Sequence, residues 1–207
     1  MKSFIFDLDG VIVHTDHYHY LGWKKLADRL GIYFDERINN KCRGVSRMES
    51  LAIVLGKRAV DFTPDELISL AAEKNEYYRS LLQEMSAGDV SDDVLRTLKE
   101  LKKRGHKLAI GSSSKNAGVI LERCRLTDYF DAVADGTHIS HSKPDPEVFL
   151  KAAGFLGEQP ADCIVVEDAV AGIQSGRAAG MYTVAIGDAV KSGIADRNIA
   201  KLSDLLL

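Results

Sequence analysis

The segment that most constrains the fold of this chain is residues 4–12, with the sequence FIFDLDGVI. Its apolar start indicates a strand buried on both faces, because such strands are continuously hydrophobic instead of alternating. Asp7 and Asp9 follow, and on an extended backbone two residues so spaced point to the same side. Gly10 then allows the chain to turn away. We therefore expect a central strand that ends in two carboxylates, although an Asp-Gly turn without function would contain the same residues.

From about residue 91 the chain alternates between helical and strand patterns, as in α/β proteins. Together with the first segment, this predicts five parallel core strands, near residues 3–7, 107–111, 131–134, 163–166 and 182–186. Sheets of this kind bind ligands beyond the carboxyl ends of their strands. Three polar clusters follow predicted strands directly, and together they favour a functional site over chance turn residues. These clusters are Asp7 with Asp9, Ser112 with Ser113 and Ser114, and Glu167 with Asp168.

Between the first two strands the patterns are helical throughout, with helix-start signals at Ser46 and Thr63, each followed three residues later by Glu. We therefore predict a Rossmann-like parallel-sheet core formed by residues 1–14 and 88–207. An all-helical cap, residues 15–87, is inserted into it and lies over the strand ends. The predicted hinges of this cap are residues 13–15 and 86–88.

Composition excludes several classes of function. A net charge of -3 with 28% charged residues gives no electrostatic bias toward nucleic acid or an anionic membrane. No apolar run approaches the roughly 20 residues that cross a bilayer, and the N-terminal sequence lacks a signal-peptide core. Cys42, Cys124 and Cys163 lack the spacing of a disulfide framework or a zinc site. We expect a cytoplasmic monomer with reduced cysteines that acts on a small molecule.

The residues at the predicted strand ends suit phosphoryl transfer. Carboxylates bind hard cations, and magnesium best matches oxygen ligands combined with phosphate. Ser112 and Lys143 can hold phosphate oxygens by hydrogen bonding and charge. Asp7 would attack phosphorus, and Asp9 would handle the proton.

At this point the chain resembles the haloacid dehalogenase superfamily through Asp7-Leu8-Asp9-Gly10-Val11, Ser112, Lys143-Pro144 and Glu167-Asp168. The resemblance implies an aspartyl-phosphate intermediate on Asp7 and an acid/base role for Asp9. It also implies magnesium held by Asp7, the Asp9 carbonyl and Asp168, with Glu167 assisting. The helical insertion resembles the cap of one class within this superfamily.

The cap extends the resemblance to the β-phosphoglucomutase family, through Thr15, Tyr18-His19, Trp23-Lys24, Gly44-Val45-Ser46-Arg47, Lys74-Asn75 and residues 112–116. This implies interconversion of β-glucose 1-phosphate and glucose 6-phosphate through a bisphosphate that reorients in the site. Such a mutase binds two phosphates at once, so it needs a second cationic position on the cap.

Arg47 is our candidate for that second position, because its planar guanidinium suits a phosphate. The resemblance adds Ser113, Ser114, Lys115 and Asn116 as contacts from the core. It makes His19, near the hinge residue Thr15, a group that positions Asp9, and it makes Lys74 a group that orients the sugar. Purely structural interpretations stay open: a solvated charge for Arg47, an exposed helix lysine for Lys74, packing or capping for His19, and a first-turn residue for Lys115.

Two other functions are compatible with the same residues. The first is a sugar-phosphate phosphatase, in which water instead of a sugar hydroxyl accepts the phosphoryl group from Asp7. The second is a non-catalytic phospho-acceptor module of the response-regulator type, which also pairs strand-end carboxylates with a lysine. Such a module needs neither a cap nor an acid/base at Asp9.

Overall fold

The computed structural model describes residues 2–207, and its centre is a six-stranded sheet with the order β3-β2-β1-β4-β5-β6. All neighbouring strands are parallel. The order reverses at β1, which lies between β2 and β4, so the carboxyl end of β1 is the point where such sheets bind ligands. The strands are β1 (Ser3–Phe6), β2 (Leu108–Gly111), β3 (Ala132–Ala134), β4 (Cys163–Glu167), β5 (Tyr182–Ala185) and β6 (Arg197–Asn198).

The predicted α/β fold class is confirmed, and the five predicted strands are all present with small shifts at their ends. The prediction missed β6. This strand contributes only Arg197 and Asn198, which pair with β5 at the edge of the sheet. Two polar residues are too short a segment to show the alternation of apolar residues that indicates a strand. Only their pairing with β5 defines them as one.

Helices cover both faces of the sheet. Phe4 and Phe6 pack with Leu98 and Ile120 in one hydrophobic cluster, whereas Ile5 packs with Phe149 in another. Phe4, Ile5 and Phe6 therefore alternate between two cores, which explains why these three consecutive residues are all apolar. The helices that follow the cap are α5 (Asp92–Lys103), α6 (Ala117–Arg123), α7 (Glu147–Leu156) and α8 (Val170–Ala178).

Four helices lie between β1 and α5: α1 (Asp16–Arg29), α2 (Glu36–Asn40), α3 (Arg47–Leu55) and α4 (Pro64–Leu82). We call this segment the helical cap. It has a hydrophobic cluster of its own around Trp23, Leu51 and Leu70. The two helix-start signals are confirmed as capping boxes, at Ser46 with Glu49 and at Thr63 with Glu66. The domain boundaries and hinges proposed from sequence stay predictions.

Among residues 2–207, none of the helices combines the length and apolar character needed to span a bilayer. Cys42, Cys124 and Cys163 are all free thiols. The expectation of reduced cysteines is consistent with this arrangement.

Close packing of α8 on the sheet makes one glycine a test of the fold. A Cβ added at Gly176 would lie 2.9 Å from the Thr183 side chain and 3.1 Å from Val165. We expect Gly176→Ala to lower the free energy of unfolding by about 1–3 kcal/mol, because it overpacks the helix–sheet contact. Gly154→Ala in α7 is the matched control, since a Cβ there meets nothing within 4 Å.

The control substitution should raise stability by roughly 0.4–1 kcal/mol, because alanine restricts the unfolded chain more than glycine does. Urea denaturation of the two variants measures both effects. Equal effects of the two substitutions would contradict the packing described for α8.

Candidate active site

A buried ion network joins the ends of β1 and β4. The Lys143 side chain is fully buried, and its Nζ donates to Oδ1 of Asp7 and to Oε1 of Glu167, the latter at 2.7 Å. Burial opposes the ammonium charge, but the two carboxylates outweigh it and raise the pKa of Lys143. Burial raises the pKa of Asp7, against the attraction of Lys143. Lys143 is therefore a fixed positive charge beside Asp7.

Asp168 follows β4 and brings a second carboxylate to the same edge. A Cβ at residue 10 would overlap this carboxylate, and Gly10 also has a φ of +91°, so glycine is required there on both counts. Burial and the neighbouring Glu167 raise the pKa of Asp168, and Arg43 opposes this shift. The loop after β1, which contains Gly10, is thus packed directly against the end of β4.

Asp9 is held from the side of the cap. Its Oδ1 accepts a hydrogen bond from the hydroxyl of Thr15, a fully buried residue at the start of α1. Burial raises the pKa of Asp9, and the hydrogen bond from Thr15 opposes this shift. The orientation of Asp9 therefore depends on where the first cap helix begins.

These groups fit a hard divalent cation. Asp7, Asp9 and Asp168 line one cavity, and their side-chain and carbonyl oxygens are the donors that magnesium prefers. A cation would also relieve the burial of the Asp7 and Asp168 carboxylates. Glu167 lies behind them, because its two oxygens accept from Lys143 and from the Ala169 N–H at 2.7 Å. Its predicted assistance to the metal is thus indirect in this arrangement.

Another group of possible ligands lies at the start of α7. His141, Asp145 and Glu147 each place one ligand atom within 4.8 Å of the others. The Glu147 carboxylate already accepts from the backbone N–H groups of Ser140 and His141, at 2.9 and 2.8 Å. These contacts explain the cluster as a helix-capping arrangement.

The cavity has a volume of about 990 Å³ and lies between the strand ends and the helical cap. Most residues predicted for the site are brought together on its walls. Thr15 and Lys143 lie behind the wall and hold Asp9 and Asp7, which line it, and Glu167 in turn holds Lys143. The lining residues are Asp7, Asp9, Ser112, Ser113, Ser114, Lys115, Asn116 and Asp168 from the core, and His19, Arg47 and Lys74 from the cap.

The loop after β2 supplies a run of hydroxyl and amide groups. Ser112 is buried, and its Oγ accepts from the Ser114 N–H at 3.1 Å. The Asn116 side chain donates to Asn75 of α4 at 2.9 Å, so this loop also contacts the cap. Lys115 is exposed at the cavity and is available to an anion.

The cap places the amine of Lys74 and the guanidinium of Arg47 at the cavity. Lys74 is only 3% exposed, which excludes the interpretation as an exposed helix lysine. Its Nζ lies 3.0 Å from Nδ1 of His19 and over the rings of Trp23 and Tyr78. Burial, with a contribution from Arg47, lowers the pKa of Lys74 to about 7. Arg47 is half-buried and, within residues 2–207, has no ion-pair partner.

His19 lines the cavity, and its contacts there are with other cap residues. We expected it to reach Asp9, but across residues 2–207 no hydrogen bond joins the two, and Thr15 contacts Asp9 instead. His19 stacks on Tyr78 with ring centroids 4.2 Å apart. Burial, Lys74 and Arg47 together lower the pKa of His19, which leaves its ring neutral. Its proposed action on Asp9 stays a prediction.

Arg43 contacts the site, but the sequence did not predict it as a site residue. Its guanidinium pairs with Asp168, with Asp188 at 3.0 Å and with Asp16 at 3.3 Å. Arg43 directly precedes the Gly44–Arg47 segment, but its core partners lie 125 and 145 residues away in the chain. No local sequence pattern around a single arginine predicts ion pairs with residues so far away in the chain.

Comparisons with known proteins agree with this geometry. The family model for haloacid dehalogenase-like hydrolases matches residues 1–180. The chain belongs to this family. It is therefore an enzyme of the haloacid dehalogenase superfamily, and both the predicted membership and the fold are confirmed.

Within this family, two relatives differ in activity. The chain is 41% identical to a β-phosphoglucomutase of Bacillus subtilis, over 100% of this chain and 92% of that protein. It is 34% identical to a fructose-1-phosphate phosphatase of Escherichia coli, over 87% of this chain and 93% of that protein. A crystal structure of β-phosphoglucomutase from Clostridium difficile matches with a TM-score of 0.94 and 38% identity, covering 99% of this chain and 93% of that one.

The burial of Lys74 has a measurable consequence for stability. Its pKa is about 7 in the folded protein and about 10.4 in an unfolded chain. Between these values the unfolded state binds more protons, so Lys74 makes stability rise with pH from about 7 to about 10. We expect Lys74→Met to increase the free energy of unfolding by about 1–3 kcal/mol near pH 7, with the difference shrinking toward pH 10.

Urea denaturation of the wild type and the variant across this pH range measures the difference. Lys57→Met is the control, because Lys57 is an exposed lysine of the same cap. A difference between wild type and Lys74→Met that does not change with pH would contradict the assignment.

Proposed function

We propose that this enzyme is a magnesium-dependent phosphosugar mutase that interconverts β-glucose 1-phosphate and glucose 6-phosphate. The observation that carries the proposal is that one cavity has anion-binding groups on both walls. Ser112 and Lys143 serve the core wall at Asp7, and Arg47 serves the cap wall. A bisphosphorylated sugar needs two such positions at once. The similarity to two β-phosphoglucomutases supports the same reaction.

In the proposed mechanism, an Asp7 oxygen attacks phosphorus and the bond from phosphorus to the leaving oxygen breaks. Asp9 gives a proton to that oxygen, and in the reverse direction it takes the proton from the sugar hydroxyl that attacks the aspartyl-phosphate. Lys143 holds one Asp7 oxygen and supplies a positive charge beside the reacting phosphate. Magnesium held by Asp7, the Asp9 carbonyl and Asp168, with Glu167 assisting, would neutralise charge on the phosphoryl oxygens.

The second phosphate of the intermediate would bind Arg47, with Ser113, Ser114, Lys115 and Asn116 adding contacts from the core. After the first transfer, the bisphosphate turns so that its other phosphate faces Asp7. Lys74 and His19 line the cap wall beside Arg47, where they would hydrogen-bond sugar hydroxyls. Thr15 fixes Asp9 at the start of the cap, which ties the acid/base to cap position.

A phosphatase acting on sugar phosphates is the second candidate. The fructose-1-phosphate phosphatase of Escherichia coli supports it, with 34% identity over 87% of this chain. Its chemistry at Asp7 would be the same, with water as the acceptor. A non-catalytic phospho-acceptor is disfavoured by membership of an enzyme family. The cytoplasmic location and the monomeric state stay predictions.

One assay separates the two enzymatic candidates. The purified protein is mixed with magnesium, β-glucose 1-phosphate and a trace of glucose 1,6-bisphosphate, and both glucose 6-phosphate and inorganic phosphate are measured. We expect glucose 6-phosphate to be the main product. Inorganic phosphate without glucose 6-phosphate would contradict the mutase and support the phosphatase.

The same assay tests the second phosphate position through Arg47→Ala. Removing a charge-assisted contact of this kind costs roughly 1.5–3 kcal/mol, so mutase turnover should fall by roughly 10- to 100-fold. Hydrolysis of the aspartyl-phosphate should change much less, because transfer to water needs no second phosphate position. Arg29→Ala is the control: Arg29 is a cap arginine paired with Glu73 at the surface. Equal losses of both activities in Arg47→Ala would contradict the assignment.

A further inference from the structure

Arg43 joins the helical cap to the core through ion pairs. It lies between α2 and α3, and its guanidinium contacts the carboxylates of Asp168 and Asp188 in the core. Among residues 2–207, these are the only ion pairs between cap and core. The guanidinium is mostly buried, with 23% of the side chain exposed, and Asp168 is 6% exposed. The pair with Asp168 is therefore weakly screened by solvent.

Asp168 has two competing uses. It is one of the two carboxylates that we propose to hold magnesium, and it also pairs with the guanidinium of Arg43. The contacting oxygen, Oδ2, is also the one that packs against Gly10, so it is enclosed by the first loop and by the guanidinium. A divalent cation beside Asp168 would repel a guanidinium that shares the same carboxylate.

We infer that Arg43 competes with the divalent cation for Asp168 and holds the cap against the core until a cation binds. The inference rests on the proposed magnesium site. Cation binding weakens the pair between Arg43 and Asp168, which frees the cap to open for the sugar phosphate. The charge on Arg43 then has another partner, because Asp16 in the same cap lies 3.3 Å from it.

The arrangement of the three carboxylates fits such an exchange. Asp16 moves with Arg43 as part of the cap, so that ion pair survives cap opening. Asp188 is a core residue with 60% of its side chain exposed, and its pair with Arg43 is screened by water. Loss of the Asp168 contact therefore removes the strongest ionic link across the cavity and leaves Arg43 partnered.

Magnesium affinity is the direct test. Titration calorimetry of the full-length wild type, Arg43→Ala and Arg43→Lys with magnesium chloride gives the dissociation constants without any substrate. We expect Arg43→Ala to bind magnesium roughly tenfold more tightly, because a competing cation is removed. Arg43→Lys should give a smaller gain, since an ammonium cannot pair with two carboxylates through a fixed fork. If Arg43→Ala does not fold, the affinity of Arg43→Lys alone still tests the competition.

Arg29→Ala is the control for overall charge, because it removes the same charge from the cap surface. Its magnesium affinity should equal that of the wild type. Equal or weaker affinity in both Arg43 variants, or an equal gain in Arg29→Ala, would overturn the inference. A wild type that binds no magnesium would overturn both the inference and the magnesium-dependent function. Phosphatase instead of mutase activity would leave the inference intact.

Small-angle X-ray scattering provides a second measurement on the same proteins. We expect the metal-free wild type to scatter as the compact form described above and to expand when magnesium is added. Metal-free Arg43→Ala should already be expanded. Identical scattering of metal-free wild type and Arg43→Ala would overturn the role of Arg43 in holding the cap.

Discussion

The contact on which the rest of the site depends is the buried ion network of Lys143. Its ammonium is removed from water, which is costly unless the charge is paired and hydrogen-bonded. Asp7 after β1 and Glu167 at the end of β4 provide that pairing. Removing one partner of such a buried pair costs about 3–5 kcal/mol, so the three residues are interdependent. The same contacts that satisfy Lys143 also hold Asp7, the proposed nucleophile, so stability and the proposed chemistry use one set of groups.

The cap supplies the second wall of the cavity, which the core alone does not form. The core supplies Asp7, Asp9 and Asp168 at one edge of the sheet, and these groups suit phosphoryl transfer to many acceptors. Arg47, Lys74 and His19 come from the cap and define the opposite wall of the cavity. In the proposed function, the choice between a sugar hydroxyl and water as acceptor would therefore depend on cap residues. The relatives of this chain include both a mutase and a phosphatase, which fits such a division of roles.

Sequence patterns predicted most of the core because strands and their polar ends are local features. The continuous apolar run at β1, the capping boxes at Ser46 and Thr63, and the carboxylates after β1 and β4 follow from neighbouring residues alone. The missing features depend on tertiary contacts. Arg43 finds its partners across the chain, Lys74 is buried by aromatic rings of two helices, and β6 exists only by pairing with β5.

In the proposed mechanism the phosphoryl group passes through Asp7. To test this, the protein and magnesium are mixed with glucose 1,6-bisphosphate labelled with ³²P, the reaction is quenched in acid, and the labelled peptides are mapped by mass spectrometry. We expect label on Asp7 that disappears when β-glucose 1-phosphate is added before the quench. Absence of protein-bound label, or label on another residue, would show that Asp7 does not carry the phosphoryl group.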